Sequence, residues 1–349
     1  MNPAGSFTVS GKRKLIFLLL AVALVGLFVL DILLGSVFIP LKKVIGALTS
    51  SQLPLGTEAT IIRDFRLPKA ITAMVAGMAL SMSGLQMQTI FRNPLAGPDV
   101  LGISSGASLA VAFFSLGFPS LLASGFTLTG SWALALAAWA GSFFVMLLVL
   151  FVSARVNDNM TILILGILFS GGAGAVVSIL QYFSNESLLK SFIVWTMGSL
   201  GSITFSQLSV VVPAVAVGLL LALLKMKDLN AFLLGETYAR SLGVNIHRSR
   251  LTILFSASLL AGTITAFCGP VAFIGIAVPH LARVFFRTAS HQVLIPAVWL
   301  MGADMLLLSD IIAQLPGMQT TLPINSVTAL LGIPVIIWMI LSNKKFAAL

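Results

Sequence analysis

Residues 225–250 read KMKDLNAFLLGETYARSLGVNIHRSR, the longest polar island in an otherwise apolar chain. Such an island implies that what surrounds it is membrane-spanning helix, and that the island itself hangs in the cytoplasm. Within it Leu229, Phe232 and Leu233 recur at helical spacing, and Leu242 continues that face after Gly235 interrupts it. The pattern predicts a short amphipathic helix suited to docking on a soluble partner. An ordinary solvated loop is the bland alternative.

The bulk numbers support a lipid solvent. Of 349 residues, 58% are hydrophobic and 9% charged, and the mean hydropathy is +1.08. Apolar runs of about 20 residues cross a bilayer, so this length accommodates roughly ten helices with short loops. The net charge of +10 is not a nucleic-acid footprint, because the basic residues sit in small groups at the ends of apolar runs. A single cysteine, Cys268, rules out an intrachain disulfide. Lys12, Arg13 and Lys14 precede the first apolar run, which reads as a retained helix with no cleavage site after it.

Ten segments follow: approximately 15–35, 66–91, 101–116, 130–152, 161–183, 205–224, 251–268, 271–287, 293–312 and 326–342. The chain divides into a tail at 1–14, one transmembrane domain at 15–342 carrying the 225–250 segment, and a tail at 343–349. With the N-terminus inside, fourteen of the 20 basic residues fall on the cytoplasmic side and six outside. The positive-inside rule therefore favours two cytoplasmic termini and an even number of spans. The outside minority includes Arg63, Arg66 and Lys69, clustered in RDFRLPK around Pro68 at the start of the second helix. Two readings stay open for them: snorkelling at a helix end, or a docking patch for acidic groups on an extracytoplasmic delivery protein.

The second helix, with AGMALSMSGLQMQ, is rich in small residues and is expected to be central, because small side chains let helix backbones approach closely. It ends at FRNPLAGPDVLGISSGAS, where Gly102 and Gly106 predict close packing. Ser104 and Ser105 beside them are expected to line a wet pathway, where polar groups are tolerated at membrane depth. Trp195 predicts a short interfacial helix between Asn185 and Ser206. His280 lacks a second ligand at metal spacing and reads as a hydrogen-bonded structural histidine. Asp304 and Asp310, within or near the outer end of the ninth helix, keep open a rival reading as a proton-coupled secondary transporter.

No G-x-x-x-x-G-K-[ST] loop, catalytic triad or zinc-site pattern is present in the sequence, so no catalytic residue and no metal ligand is expected. An ATP-driven system built on this chain needs its ATPase on another polypeptide.

The stretches RLPKAITAMVAGMALSMSGLQMQTIFRNPLAGPDVLGISSGAS, LLGETYARSLGV and GPVAFIGIAVPHLAR, with ADMLLLSDIIA and LPINSVTALLGIPVIIWMI, resemble the FecCD-type permeases. These are membrane subunits of bacterial importers for iron–siderophore complexes, haem and vitamin B12. The likeness runs from Leu15 onward. It implies an all-α membrane protein of about ten transmembrane helices with type II ABC importer permease architecture, dimeric, in the bacterial cytoplasmic membrane. It also implies a second permease copy, two cytoplasmic ATP-binding subunits and a periplasmic or lipid-anchored substrate-binding protein. The chain itself would bind no cofactor, ATP and Mg²⁺ belonging to the partner ATPase. Leu234, Gly235, Glu236, Ala239, Arg240, Leu242 and Gly243 match the family's ATPase-coupling element, the apolar members filling a groove and Glu236 making a polar contact or cap. Arg66 matches an arginine that meets the binding protein. Lys69 and Gln314 depart from that pattern, since a vitamin B12 permease of the family has basic residues there, a second arginine at the position of Lys69. Ser105 and Asn159 fall where the family narrows its pathway. Among substrates, siderophore is the first expectation, with haem and cobalamin open.

Overall fold

A computed structural model describes residues 11–35, 39–49, 57–117, 131–156, 158–315 and 321–342; the tail at 343–349 and most of the tail at 1–14 lie outside the described residues. No strand occurs among them. The helices, in order, are α1 (Gly11–Leu33), α2 (Leu41–Thr49), α3 (Thr57–Ile90), α4 (Ile103–Gly117), α5 (Ser131–Arg155), α6 (Asn159–Tyr182) and α7 (Glu186–Thr196). They continue with α8 (Phe205–Leu224), α9 (Met226–Phe232), α10 (Glu236–Ser241), α11 (Ile246–Cys268), α12 (Ile274–Phe286), α13 (His291–Ala313) and α14 (Ile324–Ser342). Eight of these are long and apolar enough to cross a membrane, and the shorter apolar α4 and α12 bring the expected ten.

Burial orders these helices. The spanning windows of α3 and α11 are 83% and 78% buried, against 11% for α1 and 17% for α6. So α3 and α11 form the centre, and α1 and α6 the rim. The apolar exterior of the rim is what a lipid solvent requires: Leu18, Val22 and Val25 on α1 and Ile167 and Leu168 on α6 are all exposed.

The centrality of α3 follows from its small residues. A Cβ on Gly77 would collide with the backbone of Gly302 on α13, and one on Gly84 with the backbone of Gly275 on α12. Hydroxyls and amides on the same helix then reach across at close range. Ser81 Oγ donates to Val298 O at 2.7 Å, Ser83 Oγ to Ala257 O at 2.8 Å, and Gln86 Nε2 to Ser256 Oγ at 2.9 Å. Bonds of this kind contribute about 0.6 kcal/mol each in a membrane.

Several boundaries differ from the sequence expectation, α11 among them, which begins at Ile246 and not at residue 251. α3 begins at Thr57, not near Arg66, and carries a π-helical stretch at Ile61–Arg66. The wider turn lies directly ahead of Pro68, whose missing N–H would break a regular α-helical ladder. α12 begins at Ile274, not residue 271, because Gly269 (φ +74°) and Phe273 (φ +69°) hold a tight reversal. Asn325 Oδ1 accepts from Ala272 N at 3.0 Å and locks that turn to the start of α14.

Replacing Gly84 by alanine should lower the thermal midpoint of the detergent-solubilised protein, consistent with about 1–3 kcal/mol of overpacking. Gly26→Ala, with nothing within 4 Å of its new methyl, should leave it unchanged or slightly raised. Equal midpoints for the two variants would contradict the close approach.

Candidate functional site

The polar island is two short helices, α9 and α10, broken at Leu233–Gly235 where Gly235 has φ +98°. Its apolar residues divide between two directions. Leu229, Phe232 and Ala239 are buried against the rest of the chain, while Leu234, Tyr238 and Leu242 are 62%, 52% and 58% exposed. This corrects the sequence reading in two places: the Leu229–Phe232 face anchors the segment, and Ala239 fills the interior instead of a partner's groove. Tyr238, missed from sequence, belongs with Leu234 and Leu242. The signal was present in the spacing i, i+4, i+8.

Charged side chains hold this segment onto α11. Glu236 pairs with Arg250, which is 3% exposed. Lys225 Nζ lies 2.9 Å from Asp228 Oδ2, which also accepts from Ser249 Oγ at 2.6 Å. So Glu236 makes a polar contact that anchors α10 to α11 in this geometry. Arg240 is exposed, and Gly243 turns the chain with φ +82°. The N-terminal end of α1 meets the C-terminal end of α12, where Arg13 Nη2 donates to Arg287 O at 3.5 Å and Phe17 packs on Phe286 at 4.6 Å. His291, four residues on from Arg287, donates its backbone N–H to Asn230 of α9, which places all three at this end of the bundle.

The nominated pathway residues sit on α4 and α6. Ser104 and Ser105 open α4 and are half-buried. Ser104 Oγ donates to Asp99 Oδ1 at 2.6 Å and lies 3.4 Å from Thr265 Oγ1, so it ties the α3–α4 turn to α11. Gly106 packs against Gly141 of α5, as the glycine pair predicts. Asn159 is the first residue of α6; its side chain lies outside the described residues. Asp158 before it caps the helix. The Thr161 hydroxyl, then the backbone N–H groups of Thr161 and Met160, hold the Asp158 carboxyl below its usual range.

At the opposite end the basic cluster turns inward. Arg66 is buried and donates to Ile32 O and Leu33 O at 2.8 and 2.9 Å, closing the last turn of α1. Lys69 Nζ is 2.9 Å from Asp310 Oδ2, both side chains about nine-tenths buried. Gln314 Nε2 bridges Asp310 Oδ2 at 2.9 Å and Asp31 Oδ1 at 3.2 Å. Arg63 Nε donates to Ala47 O at 2.5 Å. As a ready docking patch the trio is therefore corrected: Arg66 and Lys69 are engaged inside the chain, because a buried cation needs a partner closer than any second protein. Gln314, a departure from the basic pattern, serves this network as a donor to two carboxylates.

The remaining titratable residues form no site. His280 is buried with its ring against Trp338, yet its Nε2 has no hydrogen-bond partner, so the hydrogen-bonded role expected of it is not met at that atom. Both carboxyl oxygens of Asp304 are buried without a partner. No group of three His, Cys, Asp or Glu able to hold a metal occurs among the described residues.

Lys69→Met should destabilise the protein by about 3–5 kcal/mol, since it strands Asp310 in the interior. Adding Asp310→Leu should recover most of the loss in the same thermal measurement.

Comparison with known proteins accounts for this arrangement. The chain is 38% identical over 288 residues to the hemin transport system permease protein HmuU of Yersinia pestis, covering 81% of this chain and 83% of that one. It is 34% identical over 283 residues to the vitamin B12 import system permease protein BtuC of Salmonella paratyphi A, covering 81% and 84%. Its fold superposes on a solved inward-facing metal-chelate-type ABC transporter with a TM-score of 0.81 and 27% identity, over 94% of this chain and 99% of the other. The profile of the FecCD transport family matches residues 20–342, and the chain belongs to that family.

Proposed function

We propose that this chain is the permease subunit of an ATP-driven importer that carries a metal chelate across the cytoplasmic membrane by alternating access. The observation that carries the reading is the exposed Leu234–Tyr238–Leu242 surface on a segment clamped to α11. Three large apolar side chains facing water at a helix pair's tip are costly unless a partner covers them. A chain with no nucleotide-cradling loop in its sequence needs a separate ATPase, and this surface is where it would grip.

Further partners follow from the same reading. A second copy of the chain would cover α6, whose exposed face carries Gly171, Gly172, Gly174 and Ser178, small for a surface bathed only in lipid. Two ATP-binding subunits would sit below, and a soluble binding protein would deliver substrate from outside. Both termini would then be cytoplasmic, at the same end as α9 and α10. For the cargo, haemin and vitamin B12 are both metal chelates, and a siderophore complex is a third of that class. The proton-coupled alternative finds no support among the named relatives, a hemin transport system permease and a vitamin B12 import system permease, and of its two carboxylates Asp310 is already ion-paired with Lys69.

Proteoliposomes containing the chain with its ATPase and binding protein should take up chelate with ATP and remain indifferent to a protonophore. Uptake that persists without ATP and collapses with the protonophore would overturn the proposal. Tyr238→Ala and Leu242→Ala should each weaken ATPase binding about tenfold, as expected for losing roughly 1.5 kcal/mol of buried apolar contact, with the thermal midpoint unchanged.

A further inference from the structure

A buried histidine at the start of α13 joins the coupling segment to the centre of the bundle. Asn230 of α9 presents Oδ1 to both the backbone N–H of His291, at 2.8 Å, and its ring Nδ1, at 2.9 Å. A backbone N–H can only donate, so the amide oxygen faces His291 and Nδ1 carries a proton. In the neutral ring Nε2 is then an acceptor, and Thr89 Oγ1 of α3 lies 2.9 Å from it and 2.8 Å from Leu85 O, so its one proton is shared between the ring and its own helix. His291 is 0% and Thr89 2% exposed, while Asn230 is half-buried. Both ring nitrogens have a polar atom within hydrogen-bond reach, whereas the buried Nε2 of His280 has no partner.

We infer that Asn230, His291 and Thr89 form a polar strut through which displacement of the coupling segment moves the inner ends of α13 and α3, which makes them positioning residues for transport. This rests on the reading of residues 225–250 as the coupling segment. The other polar ties described for the segment, Asp228 to Ser249 and Glu236 to Arg250, both reach α11. The strut reaches two further helices, and the next residue extends it to a third. Gln88 Nε2 donates to Ile276 O at 3.1 Å, and Gln88 Oε1 accepts from Arg283, both on α12. Hydrogen bonds weaken steeply with distance and angle, so moving Asn230 costs energy unless His291 and Thr89 follow.

The test is chelate imported per ATP hydrolysed, in liposomes holding the full chain with its ATPase and binding protein. Thr89→Val keeps shape and removes the hydroxyl; Thr89→Ser keeps the hydroxyl. Asn230→Ala and Thr89→Val should each lower the ratio about tenfold, the scale of one lost buried hydrogen bond. Thr89→Ser should restore it to near the parent value. Combining Asn230→Ala with Thr89→Val should be no worse than the poorer single variant, because each breaks the same strut. Parent ratios in both single variants, or Thr89→Ser failing as badly as Thr89→Val, would sink the inference. Glu236→Lys separates the two readings. If it destroys the ratio while the strut variants do not, the strut alone is wrong; if it too leaves the ratio intact, the coupling reading is wrong as well.

Discussion

Between helices in lipid there is no hydrophobic drive, because the surrounding tails are as apolar as a leucine side chain. What holds this chain together must then come from close contact and from hydrogen bonds across the contact. The backbone approaches of Gly77 to Gly302 and of Gly84 to Gly275 supply the first. They bring α13 and α12 near enough to α3 that Ser81 reaches a main-chain oxygen of α13 and Gln88 one of α12. A larger residue at either glycine would push those partners out of range, so the polar ties depend on the small ones.

From this centre the molecule presents two unlike ends. At one, Asp31, Lys69, Asp310 and Gln314 form a buried polar network in which Asp31 Oδ2 is left without a hydrogen-bond partner. At the other, the tip of the α9–α10 pair leaves Leu234, Tyr238 and Leu242 uncovered while Leu229, Phe232 and Ala239 are sunk into the bundle. Ion pairing spent inside at one end and apolar side chains left uncovered at the other make the two ends chemically unlike. The same division explains why a cluster of positive charge in the chain need not be a contact surface. Its partners were supplied internally.

Several features were legible in the residues themselves. The apolar runs marked the eight helices long enough to span and the two shorter apolar ones, small residues marked α3 as central, Trp195 marked a short helix that appears as α7, and Gly235 marked the break between α9 and α10. Others were not. The role of Glu236 depends on Arg250, fourteen positions away, and the roles of Lys69 and Asp310 on each other across 241 positions. Tyr238 was visible as a spacing but not as an exposed side chain, because helical periodicity gives a face and not its direction.

The sequence by itself determined the lipid solvent and the helical class, since apolar runs of spanning length are properties of local composition and spacing. Only the tertiary structure decided which charges are spent inside and which side chains face a partner. Those outcomes rest on pairings between helices far apart in the chain, and a one-dimensional pattern carries no information about which helix becomes whose neighbour.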